Sequence, residues 1–382
     1  MLSLGAGVVS VAFGPQGGAG RGRTVAPCLA LAAIVCLSLP ALAQHEIRLL
    51  LAAGAEKVAV SGNDLRVLDD EGERTLVKAG RRVQALRRGE LLSIDGLGEP
   101  QAAVRVAGED LQAGKIHPLG VLEIRGGRGG LWLVDRLPLE EYVARVVEAE
   151  MGGGWPLEAL KAQAVAARSF ALRRCLQRQE EPYDLVASTS DQAFARGALA
   201  EGRVRQAVRE TSGMILAHEN FPAEATYSAC CGGRTASAEE VFGEKVPYLA
   251  SQADPYCAGC PGGEWQRRIS VSELGRAWSG ASRGRGRLGA CRTDGKTLTC
   301  REGNKTVELG PVELRRLLGS ARLPSTRFAL RLEKDAVIAS GRGRGHGVGL
   351  CQWGARGMAE QGADYRAILL RFYPGAELRK MY

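Results

Sequence analysis

Residues 146 to 172 read VVEAEMGGGWPLEALKAQAVAARSFAL and set two closely spaced carboxylates, three consecutive glycines, a Trp-Pro step and an alanine-rich run side by side. Glu148 and Glu150 are two residues apart. On a helix they point about 200° apart, at roughly 100° per residue, so they do not act as a pair. Glu150 is the one nearer the glycines, where backbone can come close to a ligand. A partly buried carboxyl at a helix C-terminus has its ionisation opposed by desolvation and by the helix dipole, which suits a general acid. The plainer alternative is a solvated helix-end glutamate, and from position alone that is the default.

The elements that must hold this acid are legible in the surrounding pattern. Residues 46 to 135 alternate short apolar runs, such as Ile47 to Leu51, Val58 to Val60 and Ala102 to Val106, with Gly, Asp and Asn turns, and predict a strand-rich lead region. Helical periodicity begins at Pro138, with Leu139, Val143, Val146 and Val147 on one face, and the glycines at 152 to 154 stop it. A second helix starts at Pro156 and runs to about Arg178, with Leu157, Leu160, Ala164, Ala167, Ala171 and Cys175 on one face. That face is mostly small, which predicts a central, buried helix. From 200 to 382 short strands and two short helices, near 271 to 278 and 311 to 318, alternate with glycine-rich loops. The expectation is an α+β fold, β-rich around a central small-residue helix that carries the site. Residues 44 to 135 form its strand-rich N-terminal region and 136 to 382 the domain that does the chemistry.

Composition is ordinary for a globular chain, with 45% hydrophobic and 24% charged residues among 382. Residues 1 to 43 differ. Arg21 and Arg23 precede an apolar run from Val25 that ends Ala41-Leu42-Ala43, a pattern that predicts an export signal cleaved before Gln44. The alternative is an uncleaved membrane tether. Eight cysteines remain beyond it, and an even count in an exported chain favours disulfides. Cys291 and Cys300 flank the Asp294-Gly295 turn signal of CRTDGKTLTC and are expected to be bridged. Cys230-Cys231 with Cys257 and Cys260 also suggest zinc, although adjacent cysteines chelate one ion awkwardly. The formal charge of +9 falls to +7 once Arg21 and Arg23 leave with the signal, and suits a polyanionic partner in a cell envelope. Nucleic acid is not expected, because no basic stripe interleaved with aromatics and no zinc-finger or RNA-binding motif is present.

LPLEEYVARVVEAEMGGGWPLEALKAQAVAARSFAL closely resembles the hallmark segment of the stage II sporulation protein D and amidase-enhancer family. YSACCGGRTASAEEVFGEKVPYLASQADPYC, residues 227 to 257, resembles that family's central Gly-Gly-x-Thr segment. GRGRGHGVGLCQWGARGMAEQGADYRAILLRFYPGAEL, residues 341 to 378, resembles its C-terminal one. The resemblance spans residues 137 to 378 in the family's order. It implies action on peptidoglycan in the cell envelope: catalytic members are lytic transglycosylases that cut the muramic acid to glucosamine linkage in peptide-stripped strands and leave 1,6-anhydro ends. The family's catalytic acid maps onto Glu150. The alternative it implies is a wall-binding module that enhances a cell-wall amidase without cutting.

Beside that resemblance, Trp155 is a candidate to stack on a sugar face, or equally a hydrophobic plug. His346, Gln352 and Trp353 are candidates for sugar contact, and Tyr227 and Ser228 for lining the cleft. Arg168, costly to bury unpaired, either pairs with a carboxylate of the protein, which is preferred, or meets the lactyl carboxylate of muramic acid. Gly232-Gly233 followed by Thr235 and Ser237 before Glu239 has the look of a helix cap. The glycines of GRGRGHGVGLCQWGARG fit neither dinucleotide nor phosphate-loop patterns, and let backbone approach a substrate or another chain segment. In some family members the loop after the central helix carries zinc ligands; here DLVASTSDQAFARG, residues 184 to 197, has neither cysteine nor histidine. No metal and no cofactor are expected. The expected partners are peptidoglycan glycan strands, with a cell-wall amidase under the alternative.

Overall fold

The apolar alternation of the lead region becomes seven strands: β1 (Glu46–Ala55), β2 (Lys57–Leu68), β3 (Thr75–Arg88), β4 (Leu91–Ile94), β5 (Ala103–Ala113), β6 (Val121–Arg125) and β7 (Leu131–Pro138). In the computed structural model, which describes residues 45–382 apart from 73, 198, 200 and 282–287, these join β8 (Leu185–Val186) in an eight-stranded sheet of order β4-β3-β2-β5-β6-β7-β1-β8. The expected export signal, residues 1 to 43, lies outside the described residues. All neighbours are antiparallel except β1 and β8. The core under this sheet, including Val60, Val83, Val104, Leu122 and Leu133, comes from its own strands, so the sheet curls over itself. Ile47 and Leu49 of β1 belong instead to the next core, on the helices.

β7 runs directly into α1 (Leu139–Glu150), with Pro138 setting the turn between them. The helix buries Tyr142, Ala144 and Arg145 as well as the face read from the sequence. It ends where Gly152 takes a φ of 70° and donates its N–H to Val147 O at 3.2 Å. α2 (Leu157–Gln177) is buried on every side from Ala162 to Leu172, because its alanines let neighbours approach closely. Around it pack α1, α3 (Arg203–Glu210), β9 (Met214–His218), β10 (Phe221–Pro222) and the two C-terminal helices.

β11 (Tyr227–Ser228) leads to α4 (Ala238–Phe242), whose N-cap Ser237 forms a reciprocal capping box with Glu240, one residue beyond the glutamate picked out in the sequence. The chain then makes an excursion with its own core of Trp265, Ile269, Leu298, Leu314 and Phe328. It comprises β12 (Glu264–Ser270), α5 (Val271–Gly280), β13 (Leu288–Thr293), β14 (Leu298–Glu302), β15 (Lys305–Leu309), α6 (Pro311–Leu318), β16 (Phe328–Leu332) and β17 (Ala336–Arg342). Cys291 and Cys300 face each other across β13 and β14 and are disulfide-bonded, as the turn signal required. Where the excursion leaves and returns, Glu264 pairs with Arg342, and Gly343 N donates to Gly263 O at 2.6 Å.

The chain closes with β18 (Leu350–Cys351), α7 (Gln352–Glu360), α8 (Tyr365–Phe372) and β19 (Glu377–Lys380). The sequence reading found only two helices beyond the cap region; α3, α7 and α8 escaped it. α7 carries Gly354 and Gly357, which weaken its helical signal, and Gly357 is there because a Cβ would lie 2.2 Å from Tyr256 O. β18 pairs in parallel with β11, Tyr227 against Leu350 and Ser228 against Cys351. The approach is so close that a Cβ on Gly349 would sit 2.0 Å from Thr226 O. There the glycines admit another chain segment.

Candidate active site

Glu150 is the last residue of α1, half-buried, and its carboxylate is met by two other segments of the fold. Oε1 accepts from the backbone N–H of Ala193 at 3.1 Å, and Oε2 accepts from Gln352 Nε2 at 3.1 Å. Gln352, the buried first residue of α7, also reaches Gln163 Oε1 of α2 at 3.4 Å. Burial raises the Glu150 carboxyl above its ordinary value, while the hydrogen bonds from Gln352 and Ala193 hold it back. Both donors are neutral amides, and among the described residues no ion pair fixes the carboxylate in its charged form. Glu148 sits in the same helix, turned about 200° away.

Two tyrosines stand behind this junction. Gln192 accepts from Tyr142 OH at 2.8 Å and donates to Tyr227 OH at 2.8 Å. Burial first, and the nearby Glu150 charge among the lesser causes, pushes both phenols up, so they remain neutral donors. Phe194 stacks on Tyr142 with ring centroids 5.6 Å apart. The loop that supplies Gln192, Ala193 and Phe194 is the one without cysteine or histidine, and arginines hold it. Arg48 forks onto Asp184, Arg178 binds Asp191, and Arg145 binds the carbonyls of Ala195 and Gly197.

On either side of Glu150 along these elements, Trp155 follows the glycine triplet and Trp353 follows Gln352. Their rings meet edge to face with centroids 5.2 Å apart, and the Arg356 guanidinium lies over both, 5.6 Å and 4.8 Å from their centres. Both indoles are half-buried and pack against the helical core. Ser228 is buried beside Tyr227, and neither its Oγ nor Gln163 Nε2 finds a hydrogen-bond partner among the described residues. His346 is committed elsewhere: its Nδ1 accepts from Val348 N at 3.1 Å, the Tyr227 backbone binds it, and burial holds it down to about 4.

Arg168 must be corrected as a sugar contact. It is fully buried, and its guanidinium forks onto Glu140 at 2.8 Å and 2.6 Å while donating to Met214 O at 2.9 Å. No donor faces a cleft. Of the residues picked out in the sequence, Glu150 and Gln352 touch, Tyr227 joins them through Gln192, and Trp155 and Trp353 pair. Tyr142, Gln163 and the Ala193 amide were missed. Gln163 alone had a signal, since a glutamine inside an alanine helix that is buried all round needs a partner.

A family model described as Stage II sporulation protein matches residues 127–218. The chain is 36% identical over 250 residues to an uncharacterized protein of Brachyspira hyodysenteriae, covering 64% of this chain and 68% of that one. It is 30% identical over 264 residues to Stage II sporulation protein D of Bacillus subtilis, covering 64% of this chain and 75% of that protein. The Amidase enhancer of Bacillus subtilis is 27% identical over 288 residues, covering 61% of this chain and 39% of that protein. With its hallmark helix pair, its acid and its C-terminal glycine segment all in the matching order, the chain belongs to the stage II sporulation protein D and amidase-enhancer family.

Proposed function

We propose that the protein is a peptidoglycan lytic transglycosylase of the cell envelope, with Glu150 acting first as acid and then as base. The observation that carries this reading is a half-buried carboxyl, raised by desolvation, whose hydrogen-bond partners among the described residues are neutral amides. Ordinary glycoside hydrolysis uses two carboxylates, one of them to activate water or to attack the sugar. One suffices when the nucleophile is already on the substrate. Glu150 protonates the bridging oxygen as the C1–O bond breaks, and glucosamine leaves with a free hydroxyl. The muramic acid's own 6-hydroxyl then attacks C1, and its proton passes to the Glu150 carboxylate, restoring the acid. Water is neither consumed nor released.

Gln352 and the Ala193 amide orient the carboxyl through both steps. The half-buried Trp155–Trp353 pair supports a sugar face. The net positive charge favours approach to an anionic wall.

The test is the mass of the product. Denuded glycan strands incubated with the protein are expected to yield fragments ending in anhydro-muramic acid, and Glu150→Gln to stop release while binding persists. Fragments heavier by one water would identify a hydrolase. Binding without any product, by the wild type as well, would leave the amidase-enhancing module instead.

A further inference from the structure

Beside the candidate active site, five cysteines gather from three distant parts of the chain: Cys230 and Cys231 after β11, Cys257 and Cys260 in the turn that follows Asp254, and Cys351 at the start of α7. All are free thiols, while Cys291 and Cys300 in the excursion are bridged. The sequence pairs Cys230-Cys231 with Cys257-x-x-Cys260, an arrangement that suits one ion poorly. The fold selects differently. One sulfur from each pair, Cys231 and Cys257, meets Cys351 and the carboxylate of Asp254, and the four donor atoms all lie within 4.8 Å of one another.

We propose that Cys231, Cys257, Cys351 and Asp254 form a tetrahedral site for a thiophilic divalent metal of the zinc class, which locks the start of α7 against the segments carrying the other three ligands. The sulfur–sulfur separation fits, while Cys231 Sγ and Asp254 Oδ2 stand at thiol hydrogen-bond distance and open by about half an ångström to share an ion. A tetrahedral zinc with bonds of about 2.3 Å to sulfur and 2.1 Å to oxygen sets ligand atoms about 3.6 to 3.8 Å apart. Here Cys231 Sγ is 3.6 Å from Cys257 Sγ and 3.1 Å from Asp254 Oδ2.

The surroundings are those of thiolate ligands. Gly233 N donates to Cys257 Sγ at 3.1 Å, and the N–H groups of Cys231 and Gly354 both donate to Cys351 Sγ at 3.3 Å. Such donors, with the N-terminal end of α7 that Cys351 caps, offset the surplus negative charge of three thiolates and a carboxylate. Tyr256 N holds the other oxygen, Asp254 Oδ1, at 3.2 Å, leaving Oδ2 on the cluster. Gly354 keeps the cradle open, since a Cβ there would come 2.3 Å from Asp254 Oδ2. A cleft of about 340 Å³, lined by Cys230, Asp254, Cys257, Cys260 and Arg342 among others, gives a metal access. All four ligands are buried, and they fill the coordination sphere of a closed structural site.

The consequence for the neighbouring site is positional. Cys351 precedes Gln352, the side chain on Glu150 Oε2, so a metal here fixes where that amide points. The proposal takes up the zinc alternative that the sequence left open for these cysteines, with a different ligand set, and it does not depend on the reaction proposed above.

The experiment uses the full chain, purified under reducing conditions without a metal-affinity tag and supplied with zinc. Elemental analysis is expected to find stoichiometric zinc that survives dialysis against a chelator in the wild type and in Cys175→Ser, whose thiol lies outside the cluster. Cys257→Ser and Cys351→Ser are expected to lose it. Replacement by cobalt(II) in the wild type is expected to give thiolate charge-transfer bands and the visible bands of a tetrahedral ion, a readout that stands if a variant does not fold. Absence of stoichiometric metal, a cobalt spectrum without thiolate bands, or a Cys231–Cys257 disulfide in the reduced-purified wild type would each overturn the proposal.

Discussion

Glu150 is held between two opposing influences, and its ionisation is where they become measurable. Burial favours the neutral acid, the two amide donors favour the carboxylate, and burial is the larger. Its folded pKa is therefore raised above the ordinary glutamate value of about 4.3. Stability contributed by the acid form is fully present below the unfolded value and is lost as pH rises through the folded one. The melting temperature of the wild type relative to Glu150→Gln is expected to fall as pH rises through that window. Under the proposed reaction, the rate of anhydro-product formation is expected to have its alkaline limb there too, because the proton donor is lost. A limb in the ordinary glutamate range would contradict the raised value. Glu150 was legible because the glycines and the hallmark segment both point to it. Its amide cage was not, because Gln352, Gln163 and Ala193 are brought together only by tertiary packing between segments nearly the whole domain apart.

At the scale of elements, the apolar packing of α1 on α2 is joined by one ion pair whose cation is buried. Arg168, fully buried in α2, meets Glu140 at the start of α1, and the side chain of Glu140 is 30% exposed. Tyr382 OH and Gly213 N also bind Glu140, so this corner ties in the chain's last residue and the turn before β9. The asymmetry of burial sets the expectation. Glu140→Gln leaves a guanidinium buried without its counter-charge and is expected to cost about 3 kcal/mol of unfolding free energy. Arg168→Met removes the buried charge itself and leaves a carboxylate that water can reach, so it is expected to cost clearly less. Denaturant titration of the two variants distinguishes them, and equal losses would mean that the packing of Arg168 matters more than its charge. That Arg168 needed a partner was readable from an arginine among alanines. Which partner was not, since Glu140 is one of two adjacent acids at the helix start. The helix pair and the strand-rich lead were readable from periodicity; α7 was hidden by the glycines that let it pack so tightly.

At the scale of the whole molecule, three hydrophobic cores divide the described residues: the curled lead sheet, the helical centre with the site, and the excursion from Glu264 to Arg342. The first two share β1, through Leu51 at their border and through Arg48, which clamps the loop behind Glu150 by way of Asp184. The third core lies within the single domain expected from 136 to 382, and its separateness was not legible because its strands and helices have the same short periods as their neighbours and nothing in composition marks the joins. The ends of the excursion lie side by side, Gly263 against Gly343. That meeting has a kinetic consequence. β11 and β18 must find each other across more than a hundred residues of chain, and the entropy of closing so long a loop slows such encounters. Once the excursion has folded, its ends are already side by side, and the effective loop shrinks to the short stretches flanking it. The inserted unit thus acts as a folding aid for the pairing of β11 with β18: replacing it with a flexible linker of equal length is expected to slow refolding, while a short two-glycine join is expected to preserve the rate.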